Sequence, residues 1–239
     1  MSLRIKELSR NFIYRLQPAV RQLLSQRCAV CQKNNKTIIC RSCLHRIEKP
    51  RHGCLTCGHD MPSETRHRCC RACTARPPIH QRLMYRGKYQ GPLAELIRAA
   101  KINKRVDAIE ALCYLAASDN VFTDYLDYTL LPMPIPTSRL MRRGFNLPAL
   151  LANAIHSSYP LPILPSTVVT LPFFVRKQAK LSRVKRQQNC HHYQINDSLP
   201  TKLMIVDDIF TTGQSVAELA GALSEKGVKS LAVYTVARG

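Results

Sequence analysis

The chain has 239 residues, 45% of them hydrophobic, enough for one good-sized core plus a small accessory module and too apolar for a disordered chain. Lys and Arg number 36 against 15 Asp and Glu, a formal net charge of +21, which favours a polyanionic partner: nucleic acid, an acidic membrane surface or a phosphorylated ligand. Tryptophan is absent and aromatics make up 6%, so a nucleic-acid surface here cannot rely mainly on stacking platforms.

Residues 1–27 read as a basic amphipathic helix. Leu3, Leu8, Phe12, Leu16, Val20, Leu23 and Leu24 fall near helical spacing, Pro18 kinks it, and Arg4, Lys6, Arg10, Arg15 and Arg21 are spread through it. It packs on the body of the protein or contacts a membrane surface or DNA. Those charges interrupt any apolar signal core, and no stretch approaches the roughly 18–20 apolar residues of a membrane span. The expected location is the reducing cytoplasm, with the inner membrane face as the alternative if the helix docks there. In that compartment cysteine pairs mean metal rather than disulfides.

Residues 28–76 form a cysteine module, closed by Pro77-Pro78. Four Cys-x-x-Cys pairs, Cys28/Cys31, Cys40/Cys43, Cys54/Cys57 and Cys70/Cys73, supply eight thiolates, enough for two structural zinc ions in closed Cys₄ sites. Spacing alone leaves the pair-to-pair connectivity open, and Cys69 could replace Cys70 as ligand. His45, His52, His59 and His67 are spare ligands nearby; Cys113 falls on an apolar helix face and reads as core. The charge is concentrated toward this end: residues 1–90 hold 19 Lys and Arg against Glu7, Glu48, Asp60 and Glu64, a net of +15.

Residues 82–239 form the main domain. Residues 82–120 read as helical, with Leu93, Leu96, Ile97 and Ala100 on one face and Ile109, Leu112 and Leu115 on another. Tyr128–Ile135 reads as the first strand of the sheet, leaving through Pro-Ile-Pro. A helix over Leu147–Ser157 and a strand over Val168–Val175 follow. Leu203–Val206 is a buried strand entering Asp207-Asp208. Ser215–Lys226 is a helix ended by Gly227, and Leu231–Val236 a closing strand. Strands alternating with helices imply a parallel α/β sheet, doubly wound.

The most informative stretch is Leu203-Met-Ile-Val-Asp207-Asp208-Ile-Phe-Thr211-Thr212-Gly213-Gln214-Ser215-Val. A strand delivers two adjacent carboxylates at the end where α/β sheets bind ligands, and such a pair accepts both hydroxyls of a vicinal diol. The next residues offer the hydroxyls of Thr211, Thr212 and Ser215, the freedom of Gly213, and backbone N–H groups at a helix N-terminus, a cradle for a phosphate dianion. A diol binder followed by a phosphate binder describes a ribose 5-phosphate.

That loop resembles the 5-phosphoribosyl diphosphate (PRPP) loop of type I phosphoribosyltransferases. The whole chain resembles the ComF/GntX family, in which a double zinc ribbon precedes such a domain. Pro134-Ile-Pro136 with Arg139 and Arg142-Arg143-Gly144-Phe145-Asn146 is similar to the family's Pro-x-Pro and Arg-Gly-Phe-Asn segment; Gln178, Leu181, Arg186 and Asn189 match its Gln–Leu–Arg–Asn segment, and Tyr85 to Lys101 its block between ribbon and sheet. The chain departs at Leu147, where the family carries Gln. The resemblance implies the type I phosphoribosyltransferase fold, PRPP and Mg²⁺ as ligands, and a role in DNA uptake during natural transformation with single-stranded DNA and a competence-machinery protein as partners. Asp207 and Asp208 would hold the ribose and serve as the catalytic pair, with Thr211, Thr212, Gly213, Gln214 and Ser215 on the 5-phosphate. Thr137, Ser138, Arg139 and Arg143, after the Tyr128–Ile135 strand, would face the pyrophosphate, although Arg142 and Arg143 also fit a solvated helix start. Phe173–His192 carries Arg176, Lys177, Lys180, Arg183, Lys185 and Arg186 with no acid. It reads as a hood over a phosphorylated ligand, as a strip for a nucleic-acid backbone, or as a solvated basic loop. Two functions follow: a PRPP-binding protein that handles single-stranded DNA in the cytoplasm, or a phosphoribosyltransferase acting on an unidentified acceptor.

Overall fold

The computed structural model describes residues 26–47, 52–62, 68–171 and 193–239. The helix expected over 1–27 lies outside them except for Gln26–Arg27, which form a short strand; the strip carrying Arg176, Lys177, Lys180, Arg183, Lys185 and Arg186 lies outside them entirely.

Two short strands, β1 (Gln26–Arg27) and β2 (Asn34–Asn35), pair antiparallel and lead into a one-turn helix, α1 (Arg41–His45); a second, α2 (Arg71–Ala75), follows. Then come β3 (Arg82–Lys88), α3 (Gly91–Lys101), α4 (Val106–Ala117), a 3₁₀ turn at Asn120–Tyr125, β4 (Thr129–Pro132), α5 (Thr137–Arg143) and α6 (Leu147–Ser158). After β5 (Val169–Thr170) and β6 (Gln194–Ile195) the chain finishes with β7 (Lys202–Phe210), α7 (Gln214–Glu225) and β8 (Ser230–Arg238).

Strands β3, β8, β7 and β4 form one sheet in that order, every pairing parallel. Side chains alternate across it. Met204, Val206, Ala232, Tyr234 and Val236 join a larger core with α3, α4 and α6; Leu203, Ile205, Leu231 and Val233 join a smaller one with Val216, Leu219 and Leu223 of α7. Helices therefore cover both faces, which is why the central strands are apolar almost throughout.

Three expectations are corrected. Residues 82–88 form a strand rather than the start of a helix. It lies at the sheet edge, where only Leu83, Met84 and Gly87 are buried and Arg82, Arg86 and Lys88 are half-buried, so no clean alternation marks it. Because β3 precedes it, the Tyr128–Ile135 strand is not the first of the sheet, and it shortens to β4. Of Val168–Val175, only Val169–Thr170 is a described strand, and it pairs antiparallel with β6 outside the parallel sheet. Among the described residues no helix is long and apolar enough to cross a membrane.

Candidate functional site

The eight cysteines gather in chain order: Cys28, Cys31, Cys40 and Cys43 in one cluster, Cys54, Cys57, Cys70 and Cys73 in the other, with all sulfurs of a cluster within 4.8 Å of one another. Cys31 and Cys40 sulfurs are 3.8 Å apart, Cys57 and Cys70 sulfurs 3.7 Å. Four sulfurs tetrahedrally placed at Zn–S bonds of about 2.3 Å lie about 3.8 Å from each other, so each set can hold a structural zinc. Cys70 occupies the ligand position; Cys69 turns away, its sulfur 3.2 Å from the Thr56 hydroxyl.

The electrostatics of the two clusters fit a cation. Burial pushes the Cys28 thiol up, but the backbone N–H groups of Cys40, Cys31 and Val30 outweigh it and bring the pKa down to about 6. Cys54 is held at about 6 in the same way by the amides of Cys70, Cys57 and Thr56. Burial and the neighbouring sulfurs push Cys43 up to about 12 and raise Cys73 as well. One thiolate per cluster forms readily and opposes the next, and a dication relieves that repulsion.

Within the parallel sheet, β7 outlasts β4. The last β4 pairing joins Pro132 to Val206, whereas β7 continues beside β8 to Phe210. Asp207 and Asp208 therefore lie within the strand rather than beyond its tip, with β8 on one side and the Met133–Pro136 turn on the other. Successive residues leave a strand on opposite faces. Asp208 is buried toward α3, where Lys101 Nζ donates to its Oδ1 at 2.7 Å. Asp207 accepts the Asp208 N–H at 2.8 Å; burial and then the adjacent Asp208 raise its pKa to about 7, against the pull of Lys101 and Arg139.

A cleft of about 230 Å³ opens over this pair, lined also by Arg139, Arg143 and Ser215. Thr137 and Ser138 sit exposed on the first turn of α5 outside its lining; Thr211 and Thr212 sit exposed on the loop and Gln214 at the start of α7. Gly213 caps α7 with φ of 75°, and a Cβ there would lie 2.5 Å from the Phe210 ring. Glycine is thus required twice, by conformation and by space.

Three polar residues of the lining were not among the candidate site residues read from the sequence. Lys101 carried a legible signal: it extends the buried stripe of Ala94 and Ile97 by a helical step, and a lysine on such a stripe needs a buried partner. Glu218 stands one turn beyond Ser215 on α7 and takes a hydrogen bond from Gln214. Tyr193, whose hydroxyl burial raises to a pKa of about 12, carried no sequence signal.

The second cysteine cluster braces the loop. Four successive carbonyls of its first knuckle are taken by the main domain: Leu55 by the Leu83 N–H at 2.8 Å, Thr56 by His80 Nε2 at 2.8 Å, Cys57 by Arg238 Nε at 2.6 Å and Gly58 by the Tyr85 hydroxyl at 3.2 Å. His80 is buried, which lowers its pKa, and because the Thr56 carbonyl can only accept, Nε2 carries the proton of that bond. Its ring meets Phe210 edge-on at 6.0 Å, and the Arg238 guanidinium lies 5.5 Å from the same ring. Phe210 in turn fills the space against Gly213.

No family model matches the chain. It is 30% identical over 208 residues to the DNA utilization protein YhgH of Escherichia coli strain K12, covering 84% of this chain and 90% of that protein. Competence protein F of Haemophilus influenzae is 26% identical over 224 residues, covering 89% and 96%. Competence protein ComFC of Bacillus subtilis is 27% identical over 214 residues, covering 84% of each chain.

Proposed function

We propose that this chain, which belongs to the ComF family, is a PRPP-binding protein that handles single-stranded DNA in the cytoplasm during DNA uptake. The relatives' names support the uptake role. The observation that carries the ligand is the pair Asp207 and Asp208 near the carboxyl end of β7, facing the cleft and followed within five residues by a glycine-capped helix start. In this reading Asp207 and Asp208 accept the ribose hydroxyls, and the Thr211–Ser215 segment takes the 5-phosphate on its N–H and hydroxyl donors. Arg139 and Arg143 offer forked donors to the pyrophosphate. Mg²⁺, arriving with PRPP and held mostly by that ligand and water, would supply charge neutralisation. Lys101 holds Asp208 in place through its 2.7 Å hydrogen bond.

A transferase reading is favoured by one feature: the apolar wall of the cleft, Met133, Ile135 and Leu171 with Tyr193, offers a seat for a planar acceptor beside the carboxylates. There the C1–oxygen bond to pyrophosphate breaks, pyrophosphate leaves with the bonding electrons, and the acceptor bonds to C1 and releases its proton to solvent. Asp207 and Asp208 steady the ribose as positive charge develops at C1.

The test is fluorescence anisotropy of a labelled single strand over a salt series, with and without Mg-PRPP. Salt-sensitive binding that PRPP alters is expected. No strand binding even at low salt would remove DNA handling, and release of pyrophosphate in the presence of an acceptor would then support the transferase.

A further inference from the structure

Several cations near the cleft have no role in it. Helix α3 ends at Lys101, and the turn that follows carries Ile102, Asn103 and Lys104, the last in the left-handed region with φ of 55°. This turn is tied to the end of α5, where Lys104 Nζ donates to the Arg142 carbonyl at 3.0 Å. Beside it opens a groove of about 510 Å³. Five cations line it, Arg98, Lys101, Lys104, Arg142 and Arg143, and among the described residues no carboxylate does. Tyr89 and three isoleucines, Ile97, Ile102 and Ile209, give it an apolar floor.

Lys101 and Arg143 line both the groove and the Asp207–Asp208 cleft, so the two meet there. Burial and the neighbouring Arg139 lower the Arg143 pKa, with Asp208 opposing, a sign of crowded positive charge. With Lys101 holding Asp208, a pyrophosphate in the cleft employs Arg139 and Arg143. It leaves Arg98, Lys104 and the apolar floor, which line the groove alone, without a use. Arg98 and Lys104 are exposed, and Ile102 and Met141 are 72% and 73% exposed.

We propose that this groove seats the sugar–phosphate backbone of a single nucleic-acid strand and leads it to the acidic cleft. The inference rests on the reading that the chain handles single strands. Cations without acids match a line of phosphates, and Tyr89 with Ile102 offers a face to unstacked bases. A duplex, with its bases stacked inside, leaves that floor unused. At the meeting point Lys101 serves both sides, holding Asp208 and facing the strand.

The test uses the full, zinc-loaded chain, an oligodeoxythymidine carrying a fluorophore, and anisotropy over a salt series. The variant Arg98→Glu with Lys104→Glu changes two exposed side chains outside the cleft. It is expected to weaken binding by about tenfold at low salt, and to reduce the salt slope by about 1.4, at about 0.7 for each single-strand phosphate that is no longer neutralised. Arg98→Gln with Lys104→Gln should give the same slope change without introducing negative charge. Lys226→Glu with Lys229→Glu, exposed beyond the end of α7, should leave the slope unchanged. Mg-PRPP binding by calorimetry should be intact in all three. Equal weakening by the α7 pair would overturn the groove in favour of diffuse charge. Unchanged binding in both groove variants would overturn it while single-strand handling stands. A wild-type chain that binds no strand would end both. A groove variant that no longer binds phosphatidylglycerol vesicles but still binds the strand would assign the groove to a membrane and overturn the proposal.

Discussion

The two cysteine clusters share one ligand set and one knuckle geometry, yet they are attached to the protein by different forces. Around the first, Cys28, Ala29, Ile39, Cys43 and Ile47 are buried within the larger hydrophobic core, continuous with α3, α4 and α6. The Ala29 carbonyl is fastened by Arg105 at 3.0 Å, but the bulk of the attachment is apolar. Around the second, the attachment is a row of four carbonyls met by donors from β3, β8 and His80, with a Lys88–Asp60 ion pair at the rim. Apolar contact spreads its stabilisation over an area, whereas a row of hydrogen bonds fixes position. The first cluster is therefore a part of the core, and the second sets the place of Phe210 and, through it, Gly213.

The largest difference should appear on removing each site. Cys28→Ser with Cys31→Ser opens the larger core, and loss of cooperative melting is expected by circular dichroism. Cys54→Ser with Cys57→Ser should keep a cooperative, lower-melting sheet while Mg-PRPP affinity falls by about tenfold or more. Each variant should retain the zinc of the untouched site. Equal loss of fold in both, or full PRPP affinity after removal of the second site, would break the distinction.

His80→Ala sharpens it within the second region. It leaves the buried Thr56 carbonyl without its donor and Phe210 without one neighbour, for a loss of about 1–3 kcal/mol. Lower melting together with weaker PRPP binding is expected; lower melting with unchanged binding would make His80 a stabilising residue with no hold on the loop.

The smallest expected effect is a pH dependence confined to the cleft. Asp207 has a pKa raised to about 7 against an unfolded value of 3.8, so its contribution to stability is full below 3.8 and is lost as pH rises through 7. Asp207→Asn should thus raise the melting temperature at pH 8 and not at pH 3.5. If Asp207 holds the ribose as proposed, its ionised form is the better acceptor, so wild-type affinity for Mg-PRPP should rise by up to about tenfold from pH 6 to 8. A flat profile would mean that Asp207 is not in contact with the ligand.

Much of this was legible because the signals were local. The pairing of Cys-x-x-Cys motifs, the α6 and α7 helices and the carboxylate loop each depend on neighbours in sequence. What was not legible depends on distant partners. Which cysteine pairs combine, and that Cys70 rather than Cys69 faces the cluster, follow from how the chain folds back between knuckles. Strand β3 escaped because an edge position beside β8 lets Arg82, Arg86 and Lys88 stand where alternation was sought. The brace through His80 and Phe210 joins residues 130 positions apart, and neither residue type announces it.

The central claim is that Asp207 and Asp208 bind the ribose of PRPP. Isothermal titration calorimetry of Mg-PRPP into the zinc-loaded wild-type chain and into Asp207→Asn with Asp208→Asn tests it most directly, with circular dichroism to establish that the variant is folded. Saturable heat from the wild type and none from a folded variant is the expected result; equal affinity in both would contradict the assignment of the site.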